Sequence, residues 1–152
     1  MNKLIILDDV FEPDAVEAMA TFPYGDGETW YDLGASPLHE KILDICRAYF
    51  DLAEVIGYEM WRNTGNPGRH IDKDEIVYKE EKRLVLPQCS AVYYPRVEKM
   101  HGGEFYTDDI RYIPKTNRLL LFSPGVAHGV SAWSGTRIAV SINPWRQRPR
   151  GR

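Results

Sequence analysis

The hydrophobic pattern changes its period at Ile56, and this change constrains the fold more than any other feature of the chain. Before it, two stretches carry apolar residues every three or four positions. After it, apolar residues fall in short runs that alternate or are wholly apolar, each bounded by Gly, Pro, Asn or Ser. Two early helices followed by about eight short strands fit helices packed on one face of an antiparallel sandwich or barrel. The expected class is α+β, mainly β.

Taken in order, Lys3 to Leu7 reads as a short strand. Pro13 and Asp14 start a helix that runs to about Thr21, with Val16, Met19 and Ala20 on one face. Glu28 to Leu33 reads as a strand. Ser36 as N-cap and Pro37 as first residue open the clearest helix, predicted to reach Val55 on the stripe Leu38, Ile42, Ile45, Tyr49 and Leu52. Tyr58 to Asn63 alternates like a strand, and Thr64 to Gly68 is a loop. Lys73 to Lys82 is strongly charged and reads as exposed. Strands follow at Leu84–Leu86, Ser90–Tyr94, Gly102–Tyr106, Arg118–Phe122, Ala127–Val130 and Arg137–Asn143. Pro95 to His101 reads as a loop, and turns fall at Ser123–Gly125 and Ser134–Thr136. With no repeat, linker or low-complexity segment, residues 1–152 are expected to form one domain, with a core over 56–145 and a basic tail over 146–152.

Composition excludes some classes. Hydrophobic residues are 43% and charged residues 27%, the balance of a soluble globular protein. The net charge is -3, and discounting the four arginines of the tail leaves -7. An acidic body argues against a broad nucleic-acid surface. The tail itself reads as a solvated, frayed terminus. Cys46 and Cys89 make no disulfide framework and no zinc spacing, and are expected as buried thiols. The apolar run Leu4–Leu7 is too short for a signal peptide and is followed by Asp8-Asp9. No apolar stretch is long enough to span a bilayer. The expectation is a cytoplasmic, reduced monomer.

His70-Ile71-Asp72 is the stretch with chemistry in it. On a strand, residues two apart face the same way. His70 and Asp72 would then offer an imidazole nitrogen and a carboxylate oxygen together, half of a 2-His-1-carboxylate metal site. Ile71 would point away, into the core. Three histidines could supply the missing ligand. His39 lies in the first turn of a helix and reads as surface; His101 lies in a loop before two glycines and reads as surface or as a neighbour of the site. His128 lies on a short strand far from Asp72 in sequence, the separation a rolled sheet needs to bring two edges over one cavity. Asp74 and Glu75 read as solvent-facing or salt-bridged beside Lys73. Nine residues after His128, Arg137 opens the last strand. It faces either solvent or the interior, where an anionic ligand would offset the cost of burying its charge.

His70-x-Asp72, His128 and Arg137, with Gly102-Gly103-Glu104-Phe105 between them, resemble the Fe(II)/2-oxoglutarate dioxygenases, in particular the prolyl 4-hydroxylase-like branch. The likeness covers roughly Trp61 to Trp145. It implies a double-stranded β-helix, the jelly roll, with N-terminal helices packed on one sheet. It also implies Fe(II) held by His70, Asp72 and His128, and a distal 2-oxoglutarate carboxylate held by Arg137 with Tyr94 and Ser141. Tyr93 is the alternative to Tyr94. Val130 would pack against the cosubstrate, and Trp61 and Asn143 would reach the substrate side. Dioxygen is the second cosubstrate, with ascorbate as an optional accessory. The branch points to a prolyl residue in a peptide or protein, with a free amino acid or other small molecule as the enzymatic alternative. A non-catalytic metal-binding jelly roll is the remaining class. Halogenating relatives lack the carboxylate present here as Asp72, and nucleic-acid demethylases carry a second arginine where this chain has Asn143. The segments Ile76–Lys82 and Pro95–His101 are expected to border the opening as lids.

Overall fold

The computed structural model describes residues 2–152. Nine strands and three helices alternate in the order β1 (Leu4–Asp8), α1 (Pro13–Thr21), β2 (Thr29–Asp32), α2 (Pro37–Cys46), β3 (Gly57–Arg62), α3 (Glu75–Glu81), β4 (Ser90–Gly102), β5 (Phe105–Thr107), β6 (Arg111–Tyr112), β7 (Arg118–Phe122), β8 (His128–Val130) and β9 (Trp133–Trp145). A six-stranded sheet has the order β1-β7-β4-β9-β3-β2, and a three-stranded sheet has the order β6-β5-β8. Every pairing is antiparallel. The chain is mainly β, and its two sheets form a jelly roll with helices on the outer face of the larger one.

Strand alternation divides the large sheet into two surfaces. Leu119 and Leu121 of β7, with Ile138, Val140 and Ile142 of β9, pack under Met19 and Ala20 of α1 and Ile42, Leu43 and Cys46 of α2. Leu120, Phe122 and Ala139 take the opposite face and meet Phe105 of the small sheet. Each fully buried Leu or Ile adds about 1.5–3 kcal/mol by leaving water, so the helix side carries much of the stability. The other side is free to carry a cavity.

Glycines take the chain between the sheets. Gly102 and Gly103 have φ of +74° and +71°. A Cβ on Gly102 would stand 2.0 Å from the Ala132 carbonyl oxygen. Only glycine fits this crossing from β4 to β5.

Several expectations need correction. α2 stops at Cys46, not Val55. Ala48 and Tyr49 donate to carbonyls three residues back, and Asp51 then accepts from the Ala53 N–H at 3.0 Å, a local bond that competes with helix. The charged segment is exposed over most of its length, as expected, but it also holds α3, because Asp74 caps it by accepting from the Val77 N–H and Val77 is buried. Leu84–Leu86 is not a strand; Val85 accepts from the Asp74 N–H instead. Pro95–His101 is not a loop but part of β4, with Pro95 placed at a register shift between Tyr93 and Arg96 where no ladder donor is needed. Ser134–Thr136 likewise belongs to β9. The tail is docked, not frayed: Arg146 faces Asp51 and Glu54, Arg150 pairs with Glu80 and Glu81, and Arg152 pairs with Glu59. Among the described residues no helix is long and apolar enough to cross a membrane.

His39 is 0% exposed rather than on the surface. Tyr24 gives its hydroxyl proton to the Met19 carbonyl, so it accepts from His39 Nε2, while Ser36 Oγ donates to Nδ1. Glu40 does the capping, accepting from the Ser36 and Gly34 N–H groups. Burial lowers the His39 pKa from 6.5 to about 4. The unfolded chain therefore binds the extra proton first, and stability held above pH 6.5 is lost as pH falls toward 4. His39→Gln should lose less stability than wild type on going from pH 7 to pH 5, by on the order of 2 kcal/mol in urea unfolding. Equal losses would show that His39 does not set this dependence.

Candidate functional site

His70 and His128 face one another as an isolated antiparallel bridge. Each backbone N–H donates to the other's carbonyl at 2.9 Å. Residues paired this way project to the same side, and the rings lie 4.4 Å apart between centroids. The His-x-Asp run is thus a single bridge and not a strand. Ile71 is only half-buried beside it and is not a core residue.

Both rings are fixed in the same way. His70 Nδ1 lies 2.8 Å from the Gly68 carbonyl oxygen, and His128 Nδ1 lies 2.8 Å from that of Val126. A carbonyl accepts only, so each Nδ1 carries the proton. In the neutral ring each Nε2 then presents a lone pair, the arrangement that orients imidazole for metal. Asp72 Oδ1 is 3.4 Å from His70 Nε2 and 3.6 Å from His128 Nε2. Asp72 Oδ2 is taken up by Ser90 Oγ, which donates at 2.7 Å.

The ligand atoms of the three residues lie within 4.8 Å of one another, a group that could hold a metal ion. Desolvation by burial would raise the Asp72 pKa, but His70, His128 and Ser90 together hold it below the usual carboxylate range. Burial lowers His128, whereas the hydrogen bond with Asp72 raises His70. Phe122 meets the His128 ring edge-on and Phe105 stacks on it, so apolar walls surround this ligand.

Arg137 faces inward. It is 1% exposed, and Nη1 donates to the Asn63 carbonyl at 2.9 Å. Its guanidinium lies 5.8 Å from the Tyr94 ring and 5.4 Å from the Trp133 ring. Among the described residues no carboxylate pairs with it. Arg137 Nε and the Tyr94 hydroxyl are both buried without partners, and both residues line the same cavity. Burial lowers the Arg137 pKa and raises that of Tyr94. Two orphaned donors in a buried, positively charged pocket fit a carboxylate, which can accept from both.

One cavity joins these parts. Its lining includes His70, Asp72, His128, Arg137, Tyr94, Ser141, Val130, Trp61 and Asn143. Register explains the grouping: Trp61 pairs with Ser141 and Glu59 with Asn143, on the face that Arg137 shares. Tyr93 takes the other face and donates to Asn117 Oδ1 at 2.7 Å. His101 is exposed and is not among the cavity residues. Asp74 is 2% exposed as a helix cap, contrary to the solvent-facing expectation. Glu75 is exposed and pairs with Lys73 at 3.3 Å.

Sequence reasoning missed Ser90, Asn63 and Trp133. Ser90, Val92 and Tyr94 alternate on one strand, so Ser90 could have been placed on the Tyr94 face. Asn63 acts through its carbonyl, which leaves no trace in residue type.

No protein-family model and no curated protein matches the chain. Solved structures do match. The viral collagen prolyl hydroxylase of Paramecium Bursaria Chlorella virus-1, in complex with 2-oxoglutarate, aligns over 93% of both chains at 12% identity and TM-score 0.65. A prolyl-4-hydroxylase of Pseudomonas putida aligns over 95% of this chain and 93% of its own at 20% identity and TM-score 0.64. HygX of Streptomyces hygroscopicus, with nickel and 2-oxoglutarate bound, aligns over 95% and 85% at 14% identity and TM-score 0.56. The fold is that of the 2-oxoglutarate/Fe(II) oxygenases.

Ser90→Ala leaves one oxygen of the buried Asp72 without its donor. It should weaken binding of Mn(II), followed by loss of the free-ion EPR signal, at least about tenfold. An unchanged affinity would show that Ser90 does not orient the carboxylate.

Proposed function

We propose that this chain is an Fe(II)- and 2-oxoglutarate-dependent dioxygenase that hydroxylates a prolyl residue in a peptide or protein. The observation that carries this reading is the convergence, in one cavity, of three metal-competent atoms and a buried, unpaired arginine. His70, Asp72 and His128 would hold the iron, their outer atoms already engaged by Gly68, Ser90 and Val126. Bound iron with 2-oxoglutarate and dioxygen supplies oxidative decarboxylation to succinate coupled to oxygen insertion into a C–H bond.

The chain's own residues bind, orient and dry the site. Arg137 Nε and the Tyr94 hydroxyl, both without protein partners, would donate to the distal carboxylate of 2-oxoglutarate, with Ser141 beside them. Val130, Phe105 and Phe122 line the same cavity and would keep water from the reacting centre. Trp61 and Asn143 border both this cavity and the cleft outside His70 and Asp72, so they would meet the substrate.

A prolyl peptide is supported in two ways. Two of the structural neighbours are named as prolyl hydroxylases. An open surface depression lined by Gly27, Glu28, Arg62 and Gly65 also includes Trp61 and His70, leaving room for a peptide chain beside the site. Hydroxylation fits the retained carboxylate of Asp72.

Arg137→Ala should weaken 2-oxoglutarate binding to the Fe(II)-loaded protein by a factor of about 100 or more in calorimetry, since it removes one side of a buried charge pair. Unchanged binding would move the cosubstrate elsewhere. A proline-containing peptide should stimulate succinate release and gain the mass of one oxygen atom on proline, while free proline should not. Stimulation by free proline alone would replace the peptide with a small-molecule substrate.

A further inference from the structure

The tail bridges the segment that follows Asp72 and strand β3. The Arg150 N–H donates to Asp74 Oδ2 at 3.0 Å, and the other oxygen of this buried carboxylate caps α3. Arg150 also pairs with Glu80 at 3.0 Å and with Glu81, both on α3. Gly151, at φ +80°, lies so close to α3 that a Cβ would stand 2.7 Å from Ile76 Cδ1. On the other side Arg152 Nε donates to Glu59 Oε2 at 2.6 Å. Glu59 is 4% exposed on β3, and its other oxygen accepts from Trp145 Nε1. Arg152 lines the cleft outside His70 and Asp72.

These contacts differ in weight. The exposed pairs with Glu80 and Glu81 contribute little singly. The buried anchors at Asp74 and Glu59 contribute more, because a buried carboxylate left short of a partner is strongly unfavourable. Asp72 needs such support: it lies in irregular backbone between the His70 bridge and the Asp74 cap.

We infer that residues 150–152 are a clamp that joins α3 to β3 and keeps the Asp72 carboxylate aimed at the two imidazoles. The inference rests on the metal reading of the site. Arg150 and Arg152 are positioning residues, with no contact to the ligand atoms themselves.

The sign of the effect separates positioning from charge. Removing a nearby positive charge should by Coulomb's law tighten the binding of a cation. Losing the clamp should weaken it. The test is Mn(II) titration of the full chain, read by EPR, for wild type, Arg150→Pro, which removes the N–H given to Asp74, Arg152→Ala, the double variant, Arg150→Lys and Arg146→Ala. Both single variants should bind more weakly and the double variant about tenfold more weakly. Arg150→Lys should stay near wild type, and Arg146→Ala, whose partners are Asp51 and Glu54, should match it. Affinities that are equal or tighter in the clamp variants overturn the inference, as does a lowered Tm with unchanged affinity. A wild-type chain that binds no Mn(II) overturns the metal reading and the clamp with it.

Discussion

Two reciprocal backbone hydrogen bonds, between His70 and His128, hold the site together. They join the segment after β3 to β8, from distant parts of the sequence, and place two imidazoles on one side. Each ring then settles its own tautomer on a carbonyl two residues upstream. The Nε2 lone pairs that would face a metal are thus fixed by backbone geometry, which would preorganise the site for an ion. Asp72 joins them through Ser90 rather than through a strand ladder.

The large sheet divides its labour between faces. Toward the helices, β7 and β9 bury Leu and Ile in a dense apolar layer. Toward the small sheet, β9 turns Arg137, Ser141 and Asn143 to a cavity. A buried guanidinium with an unpaired nitrogen, beside an unpaired phenol, destabilises a protein that binds nothing there. An anionic ligand would remove that penalty, so the unfavourable features of the fold and the proposed binding site are the same atoms. Stability gained on one face is what lets the other remain polar.

Much of this was legible from residue types. The alternation Arg137, Ala139, Ser141, Asn143 named one face of β9, though not whether it pointed in or out; burial decided it. His128 could be preferred over His39 and His101 because only it lay on a strand distant from Asp72. Other features depend on contacts that residue type does not encode. Pro95 suggested a loop, yet a register shift absorbs it inside β4. The charged run before Lys82 suggested an exposed strip, and most of it is exposed; that it holds a helix capped by Asp74 was not legible. The four tail arginines suggested a frayed end, and only the tertiary fold reveals acidic partners for three of them: Asp51 and Glu54 for Arg146, Glu80 and Glu81 for Arg150, and Glu59 for Arg152.

The central claim is that iron and a 2-oxo acid share the cavity between the His70–His128 bridge and Arg137. Anaerobic titration of the chain with Fe(II) and 2-oxoglutarate tests it most directly. Chelation of Fe(II) by the 2-oxo acid should produce a visible metal-to-ligand charge-transfer band in the wild-type chain, and His128→Ala should abolish it. No band in the folded wild type, or an undiminished band in His128→Ala, would contradict the account.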